Sequence, residues 1–206
     1  MNTKYLGLGA VGAVALVLML PLSVESRVKD TPHNINGSNG VAVRNAEVCL
    51  PCHTPHNADE TVGYLWNHEL STATYTLHEG ADAASFEHST RLCLSCHDGT
   101  VALDSYGGLT GTRFISGSGN LGTNLLTSHP VGVDYPAPGT RGFNDADADG
   151  NVVDPVETPA GSSAHLEDGK VQCVSCHFAH GSRAAYGMFL RVDNTGSALC
   201  MTCHTR

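Results

Sequence analysis

Aromatic residues make up only 6% of the 206 positions, and methionine occurs four times. A chain so poor in large apolar rings does not build an ordinary extended core from its own side chains. Basic residues are also few. Eleven Lys and Arg stand against twenty Asp and Glu, a net charge of −9. No basic patch forms, which excludes a nucleic-acid-binding face. The acidic balance suits contact with basic partners or metal cations. Cysteine is missing outside one pattern, so no thiol remains for a disulfide framework or a free nucleophile.

That pattern is CLPCH (49–53), CLSCH (93–97), CVSCH (173–177) and CMTCH (200–204), which together use all eight cysteines. Cys-x-x-Cys-His is the attachment sequence of c-type haem. Two intervening residues let one short turn present both sulfurs to the same porphyrin edge, and the next imidazole reaches the iron. A zinc site gathers four ligands around one ion and does not repeat a five-residue unit. A thioredoxin-like pair occurs once, in a βαβ setting. Four copies predict four covalent haems. Cys49, Cys52, Cys93, Cys96, Cys173, Cys176, Cys200 and Cys203 are the thioether positions, and His53, His97, His177 and His204 the proximal ligands.

The first 26 residues read as a secretory signal: Lys4, an apolar run from Tyr5 to Leu20, Pro21, then Val24 and Ser26 as small exit residues. Cleavage is expected after Ser26, and the protein is expected to be exported, to the cell surface or the periplasm. The competing reading is an uncleaved anchor, since the run is nearly long enough to span a bilayer. No cysteine lies nearby for a lipid anchor.

The four motifs alternate. CLPCHTPH and CVSCHFAH carry a second histidine three residues on, His56 and His180; LCLSCH and LCMTCH are shorter and preceded by Leu. GYLWN and GMFLR separate the motifs within each pair. This order reads as a duplicated two-haem unit. One domain over 27–206 is expected, with halves of about 27–106 and 165–206. They are joined by a Gly/Asp-rich stretch, residues 98–172, in which GLTGTRFISGSGNLGTNLL holds a strand pair or nothing regular. With so little chain per haem and 23 glycines, the expected fold class is a loop-rich multihaem c-type cytochrome. It has short helices at the motifs, little strand, and a core built from stacked haems.

A six-coordinate haem takes a distal Met or His. Met1 and Met19 fall in the signal and Met201 inside a motif, leaving Met188. Eight histidines remain after the proximal four, so bis-histidine coordination and low potentials are expected. His56 and His180 recur at one offset and point away from their own haem, as ligands of a neighbouring one. His129 in SHPVG and His33 in TPHNI each lie beside a proline that stiffens the backbone. His68, His78, His88 and His165 have polar, acidic neighbours and read as solvated side chains.

FNDADADGNVVDPVE (143–157) resembles the start of a calcium loop, with Asp145, Asp147, Asp149 and Asp154 as ligands and Gly150 at the sharp turn. Position twelve is Val156 instead of Glu, and Pro155 interrupts any following helix. A solvated acidic loop is the competing reading.

CHTPHNA, LWN, RLCLSCHDGTVALDS, SHPVG, VQCVSCHFAHG, FLR and LCMTCH, in that order, resemble the OmcE-type nanowire cytochromes. These are tetrahaem extracellular cytochromes that polymerise into conductive filaments. The resemblance covers most of residues 47–206. It implies little regular secondary structure, closely packed bis-histidine haems, and distal ligands at His56, His129 and His180. His33 is carried by its N-terminal position. The function expected is electron transfer without chemistry on a substrate, exchanging electrons with partner cytochromes or extracellular acceptors. A soluble periplasmic shuttle and a multihaem reductase are the alternatives; a reductase needs an iron with an open distal site. RVKDTPHNINGSNG (27–40) reads as a polar arm with nothing to dock it on its own domain. It is expected to carry His33 to a neighbouring copy's haem, which joins copies head to tail.

Overall fold

The computed structural model describes residues 27–35, 47–86, 88–154, 162–181, 187 and 189–205. The expected signal, residues 1–26, and Met188 lie outside the described residues. Among those described, no helix is long and apolar enough to cross a membrane. The elements are short. Three helices are α1 (His88–His97), α2 (Cys173–Cys176) and α3 (Ala198–Cys203). Two-residue strands pair as β1 (Val133–Asp134) with β4 (Lys170–Val171), and β2 (Asn151–Val152) with β3 (Ala164–His165). Both pairs are antiparallel, and Lys170 Nζ lies 3.4 Å from Asp134 Oδ1 across the first.

Each helix coincides with a motif, and its end is written in the sequence. Asp98 and Gly99 close α1 by bonding back to Leu94 and Cys96 carbonyls. Gly99 has φ +74°, and a Cβ there would stand 2.6 Å from the Asn120 amide, so only glycine turns the chain at that point. Asp98 is buried, yet its carboxylate accepts from Ser71 Oγ, from Tyr75 Oη at 2.6 Å, and from the Thr100 amide and hydroxyl at 2.8 Å. Burial works against the charge, but these donors outweigh it and hold the carboxyl below its ordinary range.

The two motif pairs meet where α1 packs on α2. The junction is polar. Thr90 Oγ1 donates to Gln172 Oε1 at 2.6 Å, Gln172 Nε2 donates to the Ser85 carbonyl at 2.8 Å, and the Cys173 amide donates to Thr90 Oγ1 at 3.1 Å. Thr90 is fully buried and Gln172 nearly so. One turn beyond Thr90, the Cys93 side chain lies beside that of Cys173, which brings motifs two and three together.

Apolar burial is divided among three small clusters. Ile35 packs with Tyr106; Phe86 with Leu94 and Leu125; Val152 with Ala164 and Leu166. The stretch between the halves does not form the strand pair entertained for 108–126; it carries 3-10 turns at Gly117–Gly119 and Leu125–Thr127. It nevertheless serves the motifs. The Leu121 amide donates to the His97 carbonyl at 2.7 Å, and Asn144 donates from its amide and side chain to the Cys203, Met201 and Thr202 carbonyls.

Gln172→Leu removes both partners of the junction network while keeping volume. The orphaned Thr90 hydroxyl and Ser85 carbonyl are expected to cost about 1–3 kcal/mol. Denaturant titration of the haem-loaded protein measures it.

Candidate haem-binding sites

In the four motifs the histidine amide bonds back to, or lies in one helical turn with, the first cysteine. His53 reaches the Cys49 carbonyl at 2.8 Å, His177 that of Cys173 at 3.1 Å, and His204 that of Cys200 at 3.0 Å; His97 ends α1. One turn places the two sulfurs, three residues apart, on one face. Burial pushes the thiols of Cys52 and Cys176 up to about 11 and that of Cys96 to about 12. At neutral pH these sulfurs are uncharged, in keeping with packing against a hydrocarbon porphyrin edge.

The longer motifs carry an identical backbone return. In the first, the Thr54 amide donates to Leu65, Trp66 to Gly63, and Asn67 to Cys52. In the second, Phe178 donates to Phe189, Leu190 to Gly187, and Arg191 to Cys176. Each position is displaced by 124 residues, as from Cys52 to Cys176. The turn demands left-handed backbone: Gly63, Tyr64 and Leu65 have φ of +70°, +55° and +55°, and Gly187 and Phe189 have +66° and +58°. Such angles are costly for residues with a Cβ. At Tyr64 the path turns its carbonyl onto His53, 2.7 Å from Nδ1.

Distant histidines face the motif histidines. His180 stands opposite His53 with ring centroids 6.0 Å apart, His33 opposite His97 at 6.1 Å, and His129 opposite His204 at 6.3 Å. An imidazole nitrogen bonds a metal at about 2 Å, which sets each ring centre about 3 Å from the ion. Two rings sharing an iron are therefore about 6 Å apart, and these three pairs have that spacing.

The other ring nitrogen is spoken for. Nδ1 faces a main-chain carbonyl in His53 (Tyr64), His97 (Gly119, 2.7 Å), His33 (Ala179, 3.0 Å) and His129 (Pro130, 3.0 Å). With Nδ1–H donating, Nε2 carries the free lone pair, and an outer carbonyl of this kind fixes a metal-binding imidazole's tautomer and orientation. Burial lowers the pKa of His33 and His180, so both rings favour the neutral, ligating form. Phe189 stacks on His33 at 4.3 Å, and Phe143 lies 4.8 Å from His204. Donor set, spacing and tautomer all fit haem iron.

Several expectations change. The arm bearing His33 is docked on its own chain: Asn34 and Ile35 are buried, and Ile35 packs against Tyr106. The apolar Ile35 supplies the anchor that the polar reading of the arm overlooked. His68 is not solvated; it is 3% exposed, with both ring nitrogens on carbonyls. His78 spends Nε2, the iron-binding nitrogen, on the Ser128 carbonyl, and His165 lies half-buried in β3. The side chain of His88 lies outside the described residues. His56 is exposed and forms no ring pair among the described residues.

The described part of the acidic loop, residues 143–154, gathers no metal site. Among the described residues no group of three or more His, Cys, Asp or Glu is gathered as for an ion. Asp147 Oδ1 instead accepts from the amides of Asp149 and Asn151, and Asp145 accepts from Gly139, so these carboxylates shape the turn itself. Asp149 is exposed and Asp154 half-buried.

Residues 165–206, with the last two motifs, match the doubled CXXCH motif family. No curated protein matches the chain. The chain is a multihaem c-type cytochrome that binds haem c covalently through its CXXCH motifs. Haem-binding electron transfer is its chemistry.

The Tyr64 side chain is exposed, and its hydroxyl donates to Glu167 Oε1 at 3.4 Å; two variants that both lose this bond isolate, by comparison, the backbone turn beside His53. Tyr64→Gly is expected to be the more stable of the two, since glycine adopts this backbone without strain. Tyr64→Val, β-branched at φ +55°, is expected to be about 1–2 kcal/mol less stable than Tyr64→Gly. Thermal unfolding of the two haem-loaded variants gives the comparison.

Proposed function

We propose that the protein holds four haem c groups at its four motifs and passes electrons among them, with no reaction on a bound substrate. The observation that carries this is the set of three histidine pairs at iron-bridging distance, each joining a motif histidine to a residue far away in sequence. His180 serves the iron of His53, His33 that of His97, and His129 that of His204. The duplicated unit assigns His56 to His177, as the counterpart of His180 and His53. Bound haem supplies a one-electron iron couple, and two imidazoles without a thioether sulfur keep its potential low. The cysteines hold the porphyrin edge, and the carbonyls of Tyr64 and Gly119 orient the proximal rings. Porphyrins fill the space that three small apolar clusters leave, and so complete a loop-rich core. Four ligand pairs leave no open iron for a reductase.

We further assign the protein to the exported, filament-forming tetrahaem cytochromes that its motif order resembles. His33 stands opposite His97 of its own chain, which favours another residue as the connector in that assembly. Exposed His56 is the ligand best placed to meet a second copy, where its counterpart is that copy's His177.

Intact mass tests haem number and signal cleavage together: a mature chain from Arg27 with four haems is expected. Oxidised spectra test the ligands. His33→Ala, His129→Ala and His180→Ala are each expected to convert one low-spin haem to high-spin, with His78→Ala unchanged. Retention of all low-spin haems by the first three would remove the pairing. For assembly, His56→Ala is expected to abolish filaments seen by electron microscopy; a wild-type protein monomeric at every concentration would instead favour a soluble shuttle.

A further inference from the structure

His68 is set apart from the histidines proposed as ligands. Its Nδ1 lies 2.8 Å from the Glu69 carbonyl and its Nε2 3.0 Å from the Ala102 carbonyl, in a site 3% exposed. A neutral imidazole has one N–H and can donate to only one of these oxygens. Its second nitrogen then turns a lone pair toward a carbonyl lone pair, an unsatisfied contact in a buried place. Only the imidazolium, with two N–H groups, satisfies both.

The groups around the ring bear on that choice. From its own segment come the Glu69 carboxylate, which favours the charged ring, and the Trp66 indole at 6.4 Å. From the segment that begins at the end of α1 come the Ala102 and Leu103 carbonyls, Tyr106 bridged to the His68 backbone, and the Cys96 sulfur 3.4 Å from Nε2. Asp98 on that segment is committed to Ser71, Tyr75 and Thr100. Against all of these stands removal from water, which holds the ring below the ordinary imidazole range and neutral at pH 7. Cys96 is the attachment point of the second haem. One electron added to that haem brings one more negative charge beside an imidazole whose hydrogen-bond acceptors are already in place for a second proton.

We infer that His68 is a proton-accepting residue of the electron-transfer reaction, taking up one proton when the haem at Cys96 is reduced and releasing it on reoxidation. The electron comes from a redox partner and the proton from water. A cavity lined by Asn57, Trp66, His68, Glu69 and Thr110 lies beside the residue. With haem bound there, the proton taken up by His68 would offset the added electron and leave the net charge around the pair unchanged. This rests on haem occupancy of the second motif.

Spectroelectrochemical titration of the haem-loaded protein against pH tests it, with His68→Gln as the variant. The glutamine amide offers two N–H donors to the same carbonyls and does not titrate near neutrality. In the native protein, the potential of one haem is expected to fall as pH rises above the oxidised-state pKa of His68. The slope approaches about 59 mV per pH unit, one tenfold change per proton and electron. It flattens above the reduced-state value. In His68→Gln that slope disappears, and the potential rests at the native high-pH limit. Four haems by mass and an unchanged low-spin spectrum show that the ligation is intact, so loss of those would fault the haem reading and not this one. A native slope retained in His68→Gln assigns the proton to another group and overturns the inference.

Discussion

Two imidazoles held about 6 Å apart by remote parts of one chain are the constraint on which this structure turns. His53 with His180, His97 with His33, and His129 with His204 each close a long loop. Closing a long loop costs little more entropy than closing a short one. A protein stitched at such points therefore needs little regular secondary structure between them. Two-residue strands and single helical turns suffice because the topology is fixed at the histidines and at the buried Thr90–Gln172 junction.

The cofactor chemistry was legible in the sequence because it is local. Cys-x-x-Cys-His spans one turn, and no tertiary contact is needed to recognise it. The duplication was legible for the same reason, and the equal spacing of the two backbone returns gives it a physical form. The partners of the ring pairs were harder. His33 and His129 were picked out by neighbouring prolines, a clue about backbone stiffness that says nothing of which iron they face. His68 was misread because its neighbours in sequence are polar, whereas its surroundings are set by Ala102 and Cys96, about 30 residues away. The arm was misread over one residue, Ile35, whose partner Tyr106 lies beyond any local window. The acidic loop reads two ways in sequence. Alternating aspartates suit a cation, yet they equally suit a turn that uses its own carboxylates to bind its own amides.

The segment between the halves takes a different role from the one its composition implies. Rich in glycine and polar residues, it resembles a spacer. It supplies the carbonyl of Gly119 to His97, the ring of Phe143 to His204, and His129 itself. The shorter motifs, which lack the return loop of the longer ones, draw their supporting groups from this stretch. Irregular chain is here the material of the binding sites, because a flat porphyrin is approached from many directions and a long helix offers only one.

The oxygen that steadies His53, His97, His33 and His129 belongs in every case to the main chain. A side-chain carboxylate in that place would be lost with a single substitution, and its charge would differ from site to site. A peptide carbonyl has the same dipole whichever residue carries it. The four imidazoles are thus held to one electronic standard that drift in sequence leaves untouched. What distinguishes one haem's potential from another's must lie elsewhere: in burial, in nearby acids such as Asp98, and in whether a neighbouring ring can accept a proton.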